Sequence, residues 1–187
     1  GEAREPRHPG IAVQPRRQPA LDRVLVVGSL LRKEHPLLAQ RLRQAAKHGA
    51  VVSLLNPVDD DPLIAVRHSL VVPPSLLPQA LAEIVVAAAR ATGATVPPAL
   101  AGVEPRETAA AIAASLQGAK AGAVLLGNLA EQHPDASQLL ALAQELARLT
   151  GATLGCLGEA ANSVGGHVAA AVPGAGGLDA RRMLAEP

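Results

Sequence analysis

The chain has 187 residues, carries 17 basic and 16 acidic side chains, is 49% hydrophobic and contains no Phe, Tyr or Trp. A chain of this length buries roughly 70% of the surface that it exposes when unfolded, so one domain with its own core is expected. Without aromatic rings it has no stacking platform for single-stranded nucleic acid, and a net charge of +1 gives no electrostatic footprint for duplex DNA or an anionic bilayer.

The cysteine count and the apolar runs exclude further classes. A single cysteine, Cys156, cannot form an internal disulfide, a zinc site of several thiolates or an iron–sulfur cluster. Apolar runs such as residues 84–89 fall well short of the ~20 residues that span a bilayer, so we expect no direct membrane insertion. A reducing compartment is the natural expectation for such a chain.

Residues 1–20 contain four Arg and four Pro without apolar periodicity. This composition predicts a disordered tail or a linker. We expect the folded domain to occupy residues 21–187.

The first part of that domain predicts a strand, a helix and a second strand. Residues 24–27 form a continuous apolar run closed by Gly28, which is typical of a strand buried on both faces of a parallel sheet. His35-Pro36 opens a helix and Gly49 ends it. Residues 50–55 form the second apolar run. The predicted buried face of this helix consists of Leu38, Leu42, Ala45 and Ala46.

The middle of the chain predicts a strand and two helices. The strand covers residues 69–72, and a helix runs from Pro73-Pro74-Ser75 to Gly93. After a loop over residues 94–105, a shorter helix ends at Gly118. The predicted buried positions of the two helices are Leu77, Leu81, Ile84, Val85 and Ala88, then Ala109, Ile112, Ala113 and Leu116.

The last part repeats the first. A strand over residues 123–126 leads into Gly127-Asn128 and His133-Pro134, and a helix then runs to Gly151 before a strand over residues 152–157. We expect that helix to be buried through Leu139, Leu142, Ala143, Leu146 and Leu149. The remaining residues, 158–187, are glycine-rich and predicted to be mostly loop.

The two strand–helix–strand units match each other closely. Val-Leu-Val-Val-Gly-Ser before His35-Pro36 corresponds to Ala-Val-Leu-Leu-Gly-Asn before His133-Pro134. Duplicated βαβ units with right-handed crossovers predict a Rossmann-like α/β fold. We therefore expect a three-layer, doubly wound, mostly parallel sheet with helices on both faces.

Three backbone turns are candidate cofactor-binding sites. Gly28-Ser29 and Gly127-Asn128 follow predicted strands, where α/β sheets bind ligands and helix starts receive phosphate. Neither is a complete G-x-G-x-x-G motif or P-loop, so a purely structural turn competes with a phosphate site. The third turn lies within residues 158–166, where Asn162, Ser163 and the flanking glycines can gather N–H groups into an anion nest.

Other polar residues predict no catalytic or metal site. His35 and His133 each precede a proline at a helix start and lack the spacing of metal ligands. Adjacent carboxylates at residues 59–61 point in different directions and predict a solvated loop. A nucleophilic group drawn from Cys156, Glu159, Ser163 and His167 is disfavoured, because a cysteine inside a strand usually acts as a small buried hydrophobe. No strand–nucleophile–helix elbow surrounds Ser163.

Four segments resemble one known family. They are Val-Leu-Val-Val-Gly-Ser-Leu-Leu-Arg-Lys-Glu-His-Pro-Leu-Leu-Ala (24–39), Leu-Leu-Asn-Pro-Val-Asp-Asp-Asp-Pro (54–62), Leu-Leu-Gly-Asn (125–128) with His133-Pro134, and Gly-Glu-Ala-Ala-Asn-Ser-Val-Gly-Gly (158–166). Together they are similar to the molybdopterin-oxidoreductase-like region of the large G subunit of bacterial NADH-quinone oxidoreductase, respiratory complex I. The resemblance covers approximately residues 21–187, and its last segment is the most specific.

The resemblance implies a role and a set of partners. It implies a non-catalytic scaffold fragment in the cytoplasmic, peripheral arm of a membrane complex that transfers electrons from NADH to quinone. The implied partners are other parts of the parent subunit and neighbouring complex I subunits, and the iron–sulfur clusters belong to other regions of that subunit.

The wider family also raises the question of a cofactor. In its molybdenum enzymes, the strand-end turns hold a pterin guanine dinucleotide. Here Leu30 stands where an Asn is common, and Pro74-Ser75 where a Gly-Thr-Asp segment is common. We therefore expect no cofactor in this fragment, with a vestigial molybdopterin or nucleotide phosphate site as the alternative.

The lack of aromatic residues is unexpected for this family. Rings are expected at core and turn positions, and Leu30, Leu129, Cys156 and His167 are plausible replacements for them. Truncating a core ring costs on the order of 1–3 kcal/mol. Two origins stay open at this point: an engineered, aromatic-free fold-test protein, or an extreme natural composition.

Overall fold

The computed structural model describes residues 21–159, 163–171, 173–174, 176–178 and 180–185. The chain divides into two compact units, each described here by itself. The described part of the larger unit is residues 21–157, and the smaller unit contributes described residues from 158 onward.

The larger unit is built on a five-stranded sheet. Its strands are β1 Arg23–Val27, β2 Val51–Asn56, β3 Val66–Val71, β4 Gly122–Leu126 and β5 Thr153–Cys156. The strands lie in the order β3-β2-β1-β4-β5, and every neighbouring pair is parallel. Val24 pairs with Val52 on one side and with Ala123 on the other, so β1 is central and apolar on both faces, as parallel strands usually are.

Six helices connect these strands. They are α1 Leu31–Glu34, α2 Pro36–Lys47, α3 Leu77–Thr92, α4 Glu107–Gln117, α5 Asn128–Glu131 and α6 Ala136–Thr150, with short 3₁₀ turns at Pro74–Leu76 and Pro98–Leu100. Pro36 occupies the first position of α2, where its missing N–H costs nothing. Gly93 and Gly151 end α3 and α6 in the left-handed conformation, with φ of 68° and 70°.

The two faces of the sheet are covered by different helices. One core cluster joins Leu25, Val27 and Val124 to the buried sides of α3, α4 and α6. A second, smaller cluster joins Val24 and Val26 to residues of α1 and α2. The expected doubly wound α/β fold with helices on both faces is therefore confirmed, and the sheet is parallel throughout.

Helix α3 is the most deeply buried element of the larger unit. Its side chains are buried on all sides from Leu77 to Ala89 apart from Gln79, because α3 packs against both α4 and α6 as well as the sheet. Glu83, only 3% exposed, lies within this helix. Arg106 Nε and Nη2 donate to Glu83 Oε2 and Oε1, both at 2.7 Å, which fixes the segment before α4 onto α3.

Most predicted helix faces agree with the structure. All nine predicted positions of α3 and α4 are buried, as are four of the five in α6. In α2 the prediction is partly wrong. Leu42 is buried as predicted, and so is Ala39, which was not predicted. The other three predicted positions, Leu38, Ala45 and Ala46, are half-exposed. Within residues 21–157, α2 is the one long helix on its face of the sheet. No second long helix of these residues therefore packs against the sides of α2.

Several boundaries differ from the predictions. Strand β3 begins at Val66, three residues earlier than predicted, since Arg67 and His68 break the apolar run at an exposed sheet edge. The single-turn helices α1 and α5 were too short to leave a periodic pattern. The prediction of loop over residues 158–187 is incomplete, because the smaller unit contains the short helices α7 Ser163–Val168 and α8 Ala180–Ala185.

No helix among the described residues has both the length and the apolar character needed to cross a membrane. The predicted tail, residues 1–20, lies outside the described residues.

Candidate functional site

The two predicted glycine turns meet at the carboxyl edge of the sheet. Gly28-Ser29 follows β1 and Gly127-Asn128 follows β4, and these neighbouring strands flank the point where the strand order reverses. Open α/β sheets bind their ligands in the crevice at this switch point. The structure therefore places four of the six candidate residues together at the expected position.

The two turns are joined directly by backbone hydrogen bonds. Gly127 N donates to Val27 O at 2.8 Å, and Leu129 N donates to Gly28 O at 2.9 Å. In a ligand-binding fold these loops splay apart to form a crevice. Here the peptide groups pair with each other, which closes the space between the loops.

Both glycines are required by this close packing. Gly28 has a φ of +65°, and a Cβ there would lie 2.6 Å from Ala130 N. A Cβ on Gly127 would collide with Ser29 and would lie 2.6 Å from Gly28 O. These contacts give the glycines a structural role that involves no phosphate.

Asn56 and Glu34 satisfy the polar groups of Ser29 and its neighbour. Ser29 N donates to Asn56 Oδ1 and Asn56 Nδ2 donates to Ser29 O, both at 3.0 Å. Ser29 Oγ and Leu30 N donate to Glu34 Oε2 at 2.8 and 3.1 Å. Glu34 thus places a negative carboxylate on donors that would otherwise be available to a phosphate.

Sequence reasoning missed both of these partners. Asn56 ends β2, and its register places it beside Ser29, 27 residues away in the chain. Glu34 lies in α1, a helix too short for periodicity to predict. The available indication was an Asn closing a largely apolar strand and an acidic residue five positions after Ser29.

Two buried polar atoms near this edge have no partner among the described residues. They are His35 Nε2, at the start of α2, and Asn128 Oδ1, at the start of α5. Buried polar atoms are usually paired with protein or with ordered water, so each requires an explanation. An ordered water beside each atom would supply one.

His133 joins two loops through its ring. Its Nδ1 accepts from Asp135 N at 2.9 Å, so Nε2 carries the hydrogen and donates to Pro74 O at 3.0 Å. The ring therefore connects the loop before α6 to the loop after β3. Because both nitrogens are engaged, the structure agrees with a role in the turn.

The acidic run at residues 59–61 is dispersed as expected. Asp61 Oδ1 accepts from Leu63 N at 2.8 Å, which closes a local turn. Asp60 lies 3.9 Å from Lys33 Nζ. Among the residues that the structure describes, no group of three or more His, Cys, Asp or Glu side chains is placed to hold a metal ion.

The remaining candidates are Cys156 and the residues of the predicted anion nest. Cys156 lies in β5, where burial and the neighbouring Glu131 carboxylate raise the pKa of its thiol to about 11. A protonated thiol is a poor nucleophile. Ser163 begins α7, and Asn162 lies outside the described residues, so the predicted anion nest has no described geometry.

Two comparisons with known proteins found no relative. No protein-family model matches the chain, and the search of curated proteins found no match. The fold and the geometry of the carboxyl edge are therefore the observations on which a function can be based.

Proposed function

We propose that this chain is a scaffold domain that performs no chemistry of its own. Residues 21–157 supply a rigid α/β body whose carboxyl edge is closed, and its work is to pack against neighbouring protein. The observation that carries the proposal is the direct pairing of the Gly28 and Gly127 turns at the switch point. A domain that bound a dinucleotide would need this crevice open.

Electrostatics at the edge supports the same conclusion. Glu34 accepts from Ser29 Oγ and Leu30 N, so a phosphate would have to displace a carboxylate and would meet its negative charge. The residues present therefore do not fit the phosphates of a pterin guanine dinucleotide. The absence of a bound cofactor is accordingly part of this proposal.

The resemblance to the G subunit of complex I supports a specific setting for this scaffold. In that setting the domain packs against other parts of the parent subunit and neighbouring subunits in the cytoplasmic, peripheral arm, while redox centres elsewhere carry the electrons. The support consists of the four similar segments, above all residues 158–166. Co-expression with the cysteine-rich N-terminal region of a bacterial G subunit tests it: a stable complex supports the setting, and two separately eluting proteins argue against it.

Thermal denaturation with ligands tests the scaffold role itself. We expect no saturable rise in melting temperature with GDP, GTP, molybdopterin or inorganic phosphate. The informative variant is Glu34→Gln, which keeps the shape of the side chain and removes its charge. A saturable rise in the unmodified chain would contradict the scaffold role, whereas a rise in Glu34→Gln alone would show that the carboxylate blocks an anion site.

One observation favours a second candidate, a small phosphate-binding module. His35 Nε2, at the start of α2, and Asn128 Oδ1, in the turn after β4, are buried without described partners. A neutral histidine can donate through Nε2, and rotating the Asn128 amide places its NH₂ group in the same position, so both can serve an anion. If this candidate is right, phosphate stabilises the unmodified chain and His35→Ala combined with Asn128→Ala abolishes that stabilisation.

A further inference from the structure

Among residues 21–157, β5 is an edge strand with no neighbouring strand on its outer side. It lies at the end of the strand order, and its sequence, Thr-Leu-Gly-Cys, contains neither charge nor proline. Edge strands normally carry such residues because unpaired peptide groups invite pairing with another chain. The opposite edge, β3, follows that rule with the exposed Arg67 and with His68.

The outward-facing peptide groups of β5 can be identified. Leu157 N donates to Leu126 O at 2.7 Å, so the Leu157 peptide faces β4. Because alternate residues of a strand face opposite neighbours, Gly155 also faces β4, while Leu154 and Cys156 direct their N–H and C=O groups away from the sheet. Antiparallel strands pair through residues of this kind, whose N–H and C=O groups both point toward the neighbouring strand.

We propose that β5 pairs antiparallel with β5 of a second copy of this chain, with the two-fold axis at Gly155. Leu154 of one copy then lies opposite Cys156 of the other, and each such pair exchanges two hydrogen bonds. Gly155 meets Gly155 as a non-hydrogen-bonded pair, whose Cα atoms approach to about 4.5 Å. The two sheets join into one ten-stranded sheet.

The glycine at the axis fits this arrangement. A Cβ on Gly155 would lie 2.9 Å from Leu125 Cδ2, so the side chain of β4 already covers the strand at this point. With no side chain at the axis, two strands approach without collision. A glycine in a strand often marks a place where another backbone comes close.

Charge also favours the antiparallel orientation. Glu131 lies beside Cys156, near the carboxyl end of β5. At the amino edge of the sheet, Lys120 is accompanied by Asp22, whose Oδ2 accepts from Lys120 N, and Arg148 is paired with Glu145. Antiparallel pairing therefore keeps the acidic carboxyl ends of the two strands apart. The paired strands themselves are neutral, whereas self-pairing of β3 would bring Arg67 side chains together.

Sedimentation of the full 187-residue chain over a range of concentrations tests the dimer. We expect a concentration-dependent dimer, and we expect Leu154→Pro to raise its dissociation constant by at least about tenfold, because proline removes an outward N–H and leaves the bonds to β4 intact. Leu154→Ala is the matched control, since it loses the same side chain but keeps the N–H. A monomeric unmodified chain at every concentration, or a dimer that survives Leu154→Pro, would overturn the proposal.

A disulfide tests the register independently of folding effects at Leu154. The proposed pairing places Thr153 opposite Leu157 of the second copy, whereas the two positions are too far apart along one strand to join within a copy. Oxidation of Thr153→Cys with Leu157→Cys, in a Cys156→Ala background, should give a covalent dimer. Thr153→Cys alone in that background should give none. A heterologous strand on this edge, or a different register, would leave both variants monomeric, and that result would contradict the proposal. This proposal does not depend on the scaffold function.

Discussion

The two faces of the sheet are built to very different depths. One is covered by α3, α4 and α6, whereas within residues 21–157 the other is covered by α2 and the single turn of α1. Among the described residues, the first cluster contains 24 buried residues and the second contains nine. We call the face under α3, α4 and α6 the deep face and the face under α1 and α2 the shallow face.

Alanine explains how the deep face does without aromatic rings. The sides of α3 and α4 that face each other and the sheet are rich in buried Ala, including Ala80, Ala88, Ala109 and Ala113. Small side chains let helices approach closely, so the volume that rings normally fill is removed. The shallow face has no second long helix in residues 21–157, and Leu38, Ala46 and Leu125 stay half-exposed there.

The largest expected difference between the faces comes from truncating one leucine on each. Leu81 is fully buried in α3, and Leu81→Ala should cost about 3–4 kcal/mol of unfolding free energy because its enclosed surroundings cannot collapse into the cavity. Leu42→Ala in α2 should cost about 2 kcal/mol, since the half-exposed flanks of α2 can relax. Urea denaturation of both variants measures the difference. Equal losses would show that the shallow face is packed as rigidly as the deep one.

The next effect concerns two Arg–Glu pairs that both involve α3. Arg106→Ala should cost about 2–3 kcal/mol, because it leaves the Glu83 carboxylate buried without its partner, although Arg106 itself is 41% exposed and water reduces the loss. Arg90 makes a pair of similar geometry with Glu104, both side chains being exposed. Arg90→Ala should therefore have no measurable effect on the same denaturation midpoint. A large loss from Arg90→Ala would refute the assignment of stability to burial.

A smaller effect is expected at the carboxyl edge, where the two faces meet. Asn56→Ala should cost about 2 kcal/mol, because both the N–H and the C=O of Ser29 lose their partner while buried. Ser29→Ala removes only the bond from Oγ to Glu34 and should cost about 1 kcal/mol. Chemical denaturation ranks the two variants. The reverse ranking would mean that Glu34, and not Asn56, holds the turn after β1.

The deep face could be predicted from the sequence more completely than the shallow one. The helix stripes of α3 and α4, and the glycine ends at Gly93 and Gly151, are local patterns that burial preserved. On the shallow face, the periodicity of α2 is compatible with burial of either Leu38 or Ala39, and packing decides between them. Periodicity predicts which side of a helix is buried only to within about one residue. Where one helix alone covers a sheet face, as α2 does, no neighbouring helix decides between the alternatives.

The position of the candidate site could be predicted from the sequence, whereas its hydrogen bonds could not. The predicted strand ends and their glycines are enough to place Gly28 and Gly127 at one edge of the sheet. That the two turns bond to each other, and that Glu34 accepts from the Ser29 hydroxyl, depend on a strand register that no local pattern encodes. The same holds for the buried atoms of His35 and Asn128 that have no partner among the described residues.

A further effect is chemical and lies at the margin of the deep face. Burial and Glu131 raise the pKa of the Cys156 thiol to about 11, from an ordinary value of 9.0. The folded chain therefore holds about a hundredfold less thiolate at pH 8 than an exposed cysteine, and its reaction with iodoacetamide should be slower by about that factor. The unfolded chain in urea is the control, and it should react at the ordinary rate.

The same shift predicts how stability depends on alkaline pH. Between pH 9 and 11 the unfolded chain has lost the thiol proton that the folded chain still holds. Unfolding free energy should therefore fall as the pH rises through this range, and Cys156→Ala should remove that part of the decline. Denaturation of both chains at pH 8 and at pH 11 measures it. If the unfolding free energy declines equally in the two chains, Cys156 is more exposed to water than its contact with the deep face implies. The boundary of the deep face would then lie closer to β4.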